Sequence, residues 1–186
     1  MTLEPFVCDV NPTGLAKDGG TMQRRALSDM RGVFLDEAAR AAMDPDTEVY
    51  EFHSAGVPAL STELAFGVSI CMPGKVGAEF FMTKGHYHAV LDCAEVYICQ
   101  SGRGIMLMET PDGRWAVPEL LPGQAVYVPG GWAHRTVNIA NEPFITLFSL
   151  RADAGHDYQT IESKGFRKLI VAEGDGYAVI DNPKWQ

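Results

Sequence analysis

From Thr47 to Asp181 the chain breaks into short runs rich in Val, Ile, Tyr, Phe and Thr, punctuated throughout by Gly and Pro. This pattern constrains the fold more than any other feature. Such short runs cannot build long helices, and β-branched and aromatic side chains suit a pleated, half-buried surface. The candidate strands are Thr47–His53, Leu64–Met72, Glu79–Met82, Cys93–Gln100, Gly104–Glu109, Trp115–Leu120, Ala125–Val128, Arg135–Asn138, Ile145–Arg151, Lys168–Ala172 and Tyr177–Asp181. Ser101-Gly-Arg-Gly104, Pro111-Asp-Gly113 and Pro122-Gly123 supply turns. About ten short strands at close spacing predict an all-β sandwich or small barrel. The jelly roll is the form that leaves a pocket between its sheets.

Before these runs lies a loop-like arm, with Pro5, Pro12, Gly14, Gly19 and Gly20. One short helix follows, over Glu37–Met43, where Asp36 can cap a stretch of high helix propensity. The 186 residues are therefore expected to form one domain, with residues 1–45 as arm and helix and 46–186 as barrel. Arg24, Arg25 and Arg31 form a basic cluster, expected to be solvated or to pair with acids at a dimer contact.

The net charge of −9 repels nucleic acid and anionic lipid, so neither is expected as a partner. An anionic small molecule would need local positive potential. No run approaches the roughly 20 apolar residues of a membrane span. Met1–Asp9 lacks the basic start of a signal peptide, so the protein is expected in the cytoplasm. Cys8, Cys71, Cys93 and Cys99 show no CxxC spacing and read as free thiols in a reducing compartment.

The chemistry concentrates in Lys84-Gly-His-Tyr-His88. Residues two apart on an extended strand share a face, so His86 and His88 aim at one point. Across a hairpin, Glu95, Tyr97 and Cys99 share a face, and Glu95 can add a carboxylate. Two imidazoles and a carboxylate with open positions suit a divalent transition metal that also binds substrate. A lone His-x-His is a weak signal.

The stretch from Gly123 to Asn138 strengthens it: Gly, five residues, Pro, one residue, Gly, two residues, His, three residues, Asn. This resembles the second motif of the cupin superfamily without a gap, and it adds His134 as a third imidazole. The first cupin motif is only partly kept. Phe80 stands at its leading Gly, and six residues, rather than three or four, separate His88 from Glu95. Gly102 falls where the motif expects it. The long spacer points either to a different cupin family or to a Glu95 that is not a ligand.

A more specific resemblance runs from about Glu4 to Trp185. Pro73-Gly-Lys-Val-Gly77, Glu79-Phe-Phe-Met-Thr-Lys-Gly-His-Tyr-His88, Ala94-Glu-Val-Tyr97, the Tyr127–Asn138 stretch and Ala152-Asp-Ala-Gly-His-Asp-Tyr158 closely resemble the cupin-type glucose-6-phosphate isomerases. Arg25–Met30 and Val179–Trp185 are similar as well. The resemblance implies a homodimeric cupin jelly-roll β-barrel that interconverts glucose 6-phosphate and fructose 6-phosphate. It implies one divalent metal per subunit, Fe²⁺ first, with Mn²⁺, Ni²⁺ or Zn²⁺ able to substitute. It places the metal ligands at His86, His88, Glu95 and His134, and phosphate binding at Tyr50, Ser69, Thr83 and Gly85. It assigns His156, Tyr158 and Tyr97 to the sugar pocket. Two departures matter: Ser69 stands for a common Thr, and Leu150 for a common pocket Tyr.

Aldose–ketose isomerisation moves a proton from C2 to C1 and needs charge stabilisation at O1 and O2. A divalent ion can polarise both oxygens, and Glu95, the only acid in the constellation, can shuttle the proton through a cis-enediol. A hydride shift, with Glu95 only a ligand, is the alternative. No P-loop exists, so phosphate would need hydroxyls and the Gly85 N–H. Lys84 and Arg135 could add positive potential, or be a solvated side chain and a sheet-edge ion pair. His53 reads as an ordinary histidine and Trp132 as packing. Rival functions are a mannose-6-phosphate isomerase, a metal-dependent cupin dioxygenase and a non-catalytic sugar-binding cupin.

Overall fold

A computed structural model describes residues 3–17 and 19–185; Met1, Thr2 and Gln186, which the expected single domain includes, lie outside the described residues, as does Asp18 in the arm. In chain order the strands are β1 Thr21–Ala26, β2 Glu48–Ser54, β3 Leu64–Cys71, β4 Lys75–Val76, β5 Glu79–Phe80, β6 Glu95–Ser101, β7 Gly104–Glu109, β8 Trp115–Ala116, β9 Glu119–Leu120, β10 Ala125–Val128, β11 Ala133–Asn138, β12 Phe144–Arg151, β13 Lys168–Glu173 and β14 Gly176–Asp181. The helices are α1 Pro12–Lys17, α2 Glu37–Ala42 and α3 Gln159–Lys164.

One wall of the jelly roll is a six-stranded antiparallel sheet in the order β1-β2-β3-β12-β6-β10. Along β6 the inward residues Glu95, Tyr97 and Cys99 are buried and the alternating ones are more open, as period-two alternation requires. The other wall combines β11-β7-β8, with β9 on β7, and β14-β13-β5-β4. The extended stretch Phe81–His88 joins its two parts. It runs against β11 through the bridges Met82↔Val137 and His86↔His134. β7 and β11 are buried along their whole length; β7 is almost entirely apolar, whereas β11 carries the buried polar residues His134, Arg135, Thr136 and Asn138. The core lies between the walls and includes Cys71, Tyr97, Phe148, Ile105 and Val137.

Several local features differ from the sequence expectation. The arm is not all loop. Thr21–Ala26 pairs with β2, although its Thr-Met-Gln-Arg-Arg-Ala sequence carries no apolar alternation. It is an edge strand held by backbone bonds and by an Arg24–Glu48 ion pair at 2.7 Å. Two further six-residue helices, α1 and α3, are too short to show a helical period. The expected helix appears as α2, with the Asp36 carboxylate accepting the Ala39 N–H at 2.8 Å. The Trp115–Leu120 run divides around Val117-Pro118, because proline has no N–H for the ladder.

Candidate active site

The metal-type cluster is built by both walls. The backbones of His86 and His134 exchange hydrogen bonds at 3.2 and 3.1 Å, which fixes their rings 4.7 Å apart. His88, two residues on, shares the face of His86, with ring centroids 5.7 Å apart. Glu95 enters from β6 on the opposite wall. One ligand atom from each of His86, His88, Glu95 and His134 lies within 4.8 Å of the others. The six-residue spacer forms a loop tied to its neighbours by Val90 N–H to Ala154 O at 2.9 Å and Gly131 N–H to Leu91 O at 2.5 Å. The extra length is taken up there, and Glu95 still reaches the cluster.

The donor set suits a cation. The ring Nδ1 of His88 lies 2.9 Å from the Cys93 carbonyl, which requires the proton on Nδ1 and turns Nε2 inward, where the neutral ring presents its lone pair. His88 Nε2 and His134 Nε2 both face one oxygen of Glu95, at 3.1 and 2.9 Å. His86 Nε2 is buried without a hydrogen-bond partner, a costly state that a bound divalent ion would relieve. Burial pushes the Glu95 carboxyl up, but contacts with His134 and His88 outweigh it and bring it down to about 2. Burial and the neighbouring imidazoles His134, His156 and His88 hold His86 well below the ordinary histidine range, so it stays neutral and free to ligate.

The cluster forms one end of a cavity of about 280 Å³ between the walls. Tyr50, Ser69, Thr83, Gly85, Tyr97, His156 and Tyr158 all line it, as do His86, Glu95 and His134, while His88 stands behind them. Thr83 Oγ1 accepts the Thr136 N–H at 3.0 Å, which leaves its own proton for a ligand. Burial, with the Tyr158 phenol nearby, pushes Tyr50 up to about 12. Burial raises Tyr158 too, and burial with the Glu95 charge holds Tyr97 well above the phenol range. All three are neutral donors at physiological pH. His156 stacks on Tyr158 at 5.7 Å and meets His86 edge-on at 4.3 Å. Burial lowers its pKa, so it also stays neutral.

A profile of the family described as Glucose-6-phosphate isomerase (GPI) matches residues 23–186. The chain is 48% identical over 191 residues to a glucose-6-phosphate isomerase of Pyrococcus furiosus, covering 100% of both chains. It is 47% identical to one of Thermococcus litoralis, covering 98% of this chain and 97% of the relative. It is 40% identical to a putative glucose-6-phosphate isomerase 1 of Rhizobium meliloti, covering 98% and 88%. The chain belongs to the glucose-6-phosphate isomerase family.

Within this glucose-6-phosphate isomerase family chain, both departures noted in the sequence face the cavity. Ser69 keeps a hydroxyl there, and Leu150 extends an apolar wall with Phe52 and Phe148. The sequence placed Leu150 in the pocket but missed Phe52 and Phe148, although Phe148 and Leu150 alternate on β12 as inward residues should. Phe80, in place of the motif glycine, is buried on β5 beneath Lys75. Lys84 lines the cavity. Arg135 is not a sheet-edge ion pair; it is buried beneath the Lys84–Gly85 loop. His53 is buried on β2, 3.2 Å from Glu51, and does not line the cavity. Trp132 packs against the core below Arg114.

Proposed function

We propose that the chain is a metal-dependent aldose–ketose isomerase that interconverts glucose 6-phosphate and fructose 6-phosphate. The observation that carries this reading is the two-ended cavity: three imidazoles and a carboxylate at one end, hydroxyls and a glycine loop at the other. His86, His88, Glu95 and His134 would hold one divalent ion, Fe²⁺ in the first instance, with Mn²⁺, Ni²⁺ or Zn²⁺ as substitutes. When bound, it supplies Lewis-acid polarisation of the two oxygens on C1 and C2.

The chain's own residues account for the rest. Tyr50, Ser69, Thr83 and the Gly85 N–H receive the phosphate as neutral donors. Glu95, ionised in its resting state, takes the proton from C2 of glucose 6-phosphate and returns it to C1 through a cis-enediol. A second proton must pass from O2 to O1, and neutral Tyr97 and His156 stand beside the cluster to orient those oxygens. Phe52, Phe148 and Leu150 exclude water along one side.

A second copy of the chain fits the outer face of the large sheet. The arm covers part of that face, where Leu15 packs on Val68 and Ile70. Leu64, Ile98 and Tyr127 stay open on the rest, at 64, 39 and 62% exposure. A homodimer that buries them would run as twice the chain mass in light scattering, and Ile98→Asp would return it to monomer.

The deciding assay follows fructose 6-phosphate conversion after chelation with EDTA and refilling with each ion in turn. Activity that disappears and returns with a metal supports the reading; a metal-loaded protein without turnover on any ion sinks it. Exchange of the C2 hydrogen with solvent deuterium supports the enediol, and full retention favours the hydride shift.

A further inference from the structure

Arg135 is the one cavity residue whose charge is deeply buried and unexplained by the cluster. It is 3% exposed and makes no ion pair among the described residues. A buried guanidinium without a counter-ion is unfavourable unless something else compensates it. The acids whose charges favour its ionised form, Glu79 and Glu109, lie beyond ion-pair distance. Glu79 accepts the Leu35 N–H at 2.5 Å, and Glu109 accepts from Arg167 at 2.7 and 3.1 Å. Its own contacts are the Phe166 ring at 4.3 Å, the Met82 sulfur and the Lys84 carbonyl. Its Nε is buried with no partner.

These contacts place it directly under the Lys84–Gly85 peptide. Gly85 has φ +75, and a Cβ there would lie 2.6 Å from Phe166 and 3.0 Å from Arg135 Nε, so only glycine lets the loop lie this close. The peptide is trans, and in a trans peptide C=O and N–H point in opposite directions. With the Lys84 carbonyl held down onto the guanidinium, the Gly85 N–H faces the other way, on the cavity side. That N–H has no protein acceptor among the described residues. A guanidinium stays charged at neutral pH in a protein.

We propose that Arg135 is the positioning residue of the anion subsite: its fork turns the Lys84–Gly85 peptide so that the Gly85 N–H meets the substrate phosphate, and its positive charge attracts that dianion from beneath. This rests on the isomerase reading. A fork is needed because one side chain must serve a sulfur, a carbonyl and an aromatic face together, which a lysine ammonium cannot do.

The test uses the metal-loaded enzyme with two readouts: KM and kcat for fructose 6-phosphate, and competitive inhibition by inorganic phosphate. In Arg135→Met, KM and the phosphate inhibition constant should rise together by about tenfold, as expected for a lost charge-assisted contact. kcat and metal content should change far less. A folded Arg135→Met enzyme with both constants unchanged would overturn the proposal, because a merely structural residue moves the melting temperature and not phosphate affinity. If that variant fails to fold, Arg135→Lys decides. Loss of the fork should raise both constants severalfold despite the retained charge, and unchanged constants overturn the assignment. The isomerase reading fails separately, if the wild-type enzyme neither turns over fructose 6-phosphate nor responds to inorganic phosphate.

Discussion

The two ends of the cavity are made in opposite ways. At the end proposed to hold the metal, three imidazoles and Glu95 converge within 4.8 Å, and buried nitrogens face the carboxylate or lack partners altogether. Its donors outnumber its protons, so it favours a cation. At the other end Tyr50, Ser69 and Thr83 offer neutral hydroxyls, Gly85 offers an N–H, and a positive charge lies beneath. That end favours an anion. A phosphorylated sugar has both requirements at once: oxygens to be polarised on C1 and C2, and a dianion at C6. In a chain of net charge −9, the second end has to be assembled locally from backbone and one buried arginine. The contrast teaches that catalysis and substrate selection are separable here, one sensitive to ligand loss and the other to small changes in donor placement.

That separation can be broken by substitution. The largest effect is expected for His134→Ala, which removes one of the four proposed ligands; metal content should fall to near zero in elemental analysis, and turnover should vanish. Glu95→Gln keeps a side-chain oxygen but loses the base, and kcat should fall by about 10³-fold in the coupled assay. At the anion end, Thr83→Val should raise KM for fructose 6-phosphate about tenfold with kcat nearly unchanged. If it lowers kcat as far as Glu95→Gln does, the two ends are not separable. The smallest change is Leu150→Tyr, which returns a hydroxyl to the apolar wall. KM should drop by about threefold, provided the ring enters without displacing Phe52 or Phe148.

The same contrast divides what could be read before the structure. The strands announced themselves through composition and turns, and ten of the eleven candidate runs contain a strand over most of their length or a pair of shorter ones. The remaining run, Glu79–Met82, forms a ladder only at Glu79–Phe80 and continues as the stretch that carries the histidines. The edge strand Thr21–Ala26 gave no signal, because it is held by backbone bonds to β2 and not by an apolar face. The short helices α1 and α3 were equally silent.

What the sequence determined by itself was the meeting of the three imidazoles and the all-β architecture. His86 and His88 share a strand face by period alone, and the glycines and proline around His134 set its turn, so local spacing suffices. What only the tertiary structure decided was the register that brings Glu95 across from the other wall, the path of the six-residue spacer, and the underside of the anion end. Arg135 and Gly85 are 50 positions apart, and nothing in either neighbourhood says that they stack. Their contact exists because the Phe81–His88 stretch runs antiparallel to β11 and Phe166 closes the layer from below. Long-range packing, which leaves no periodic trace in a single chain, made that end of the site.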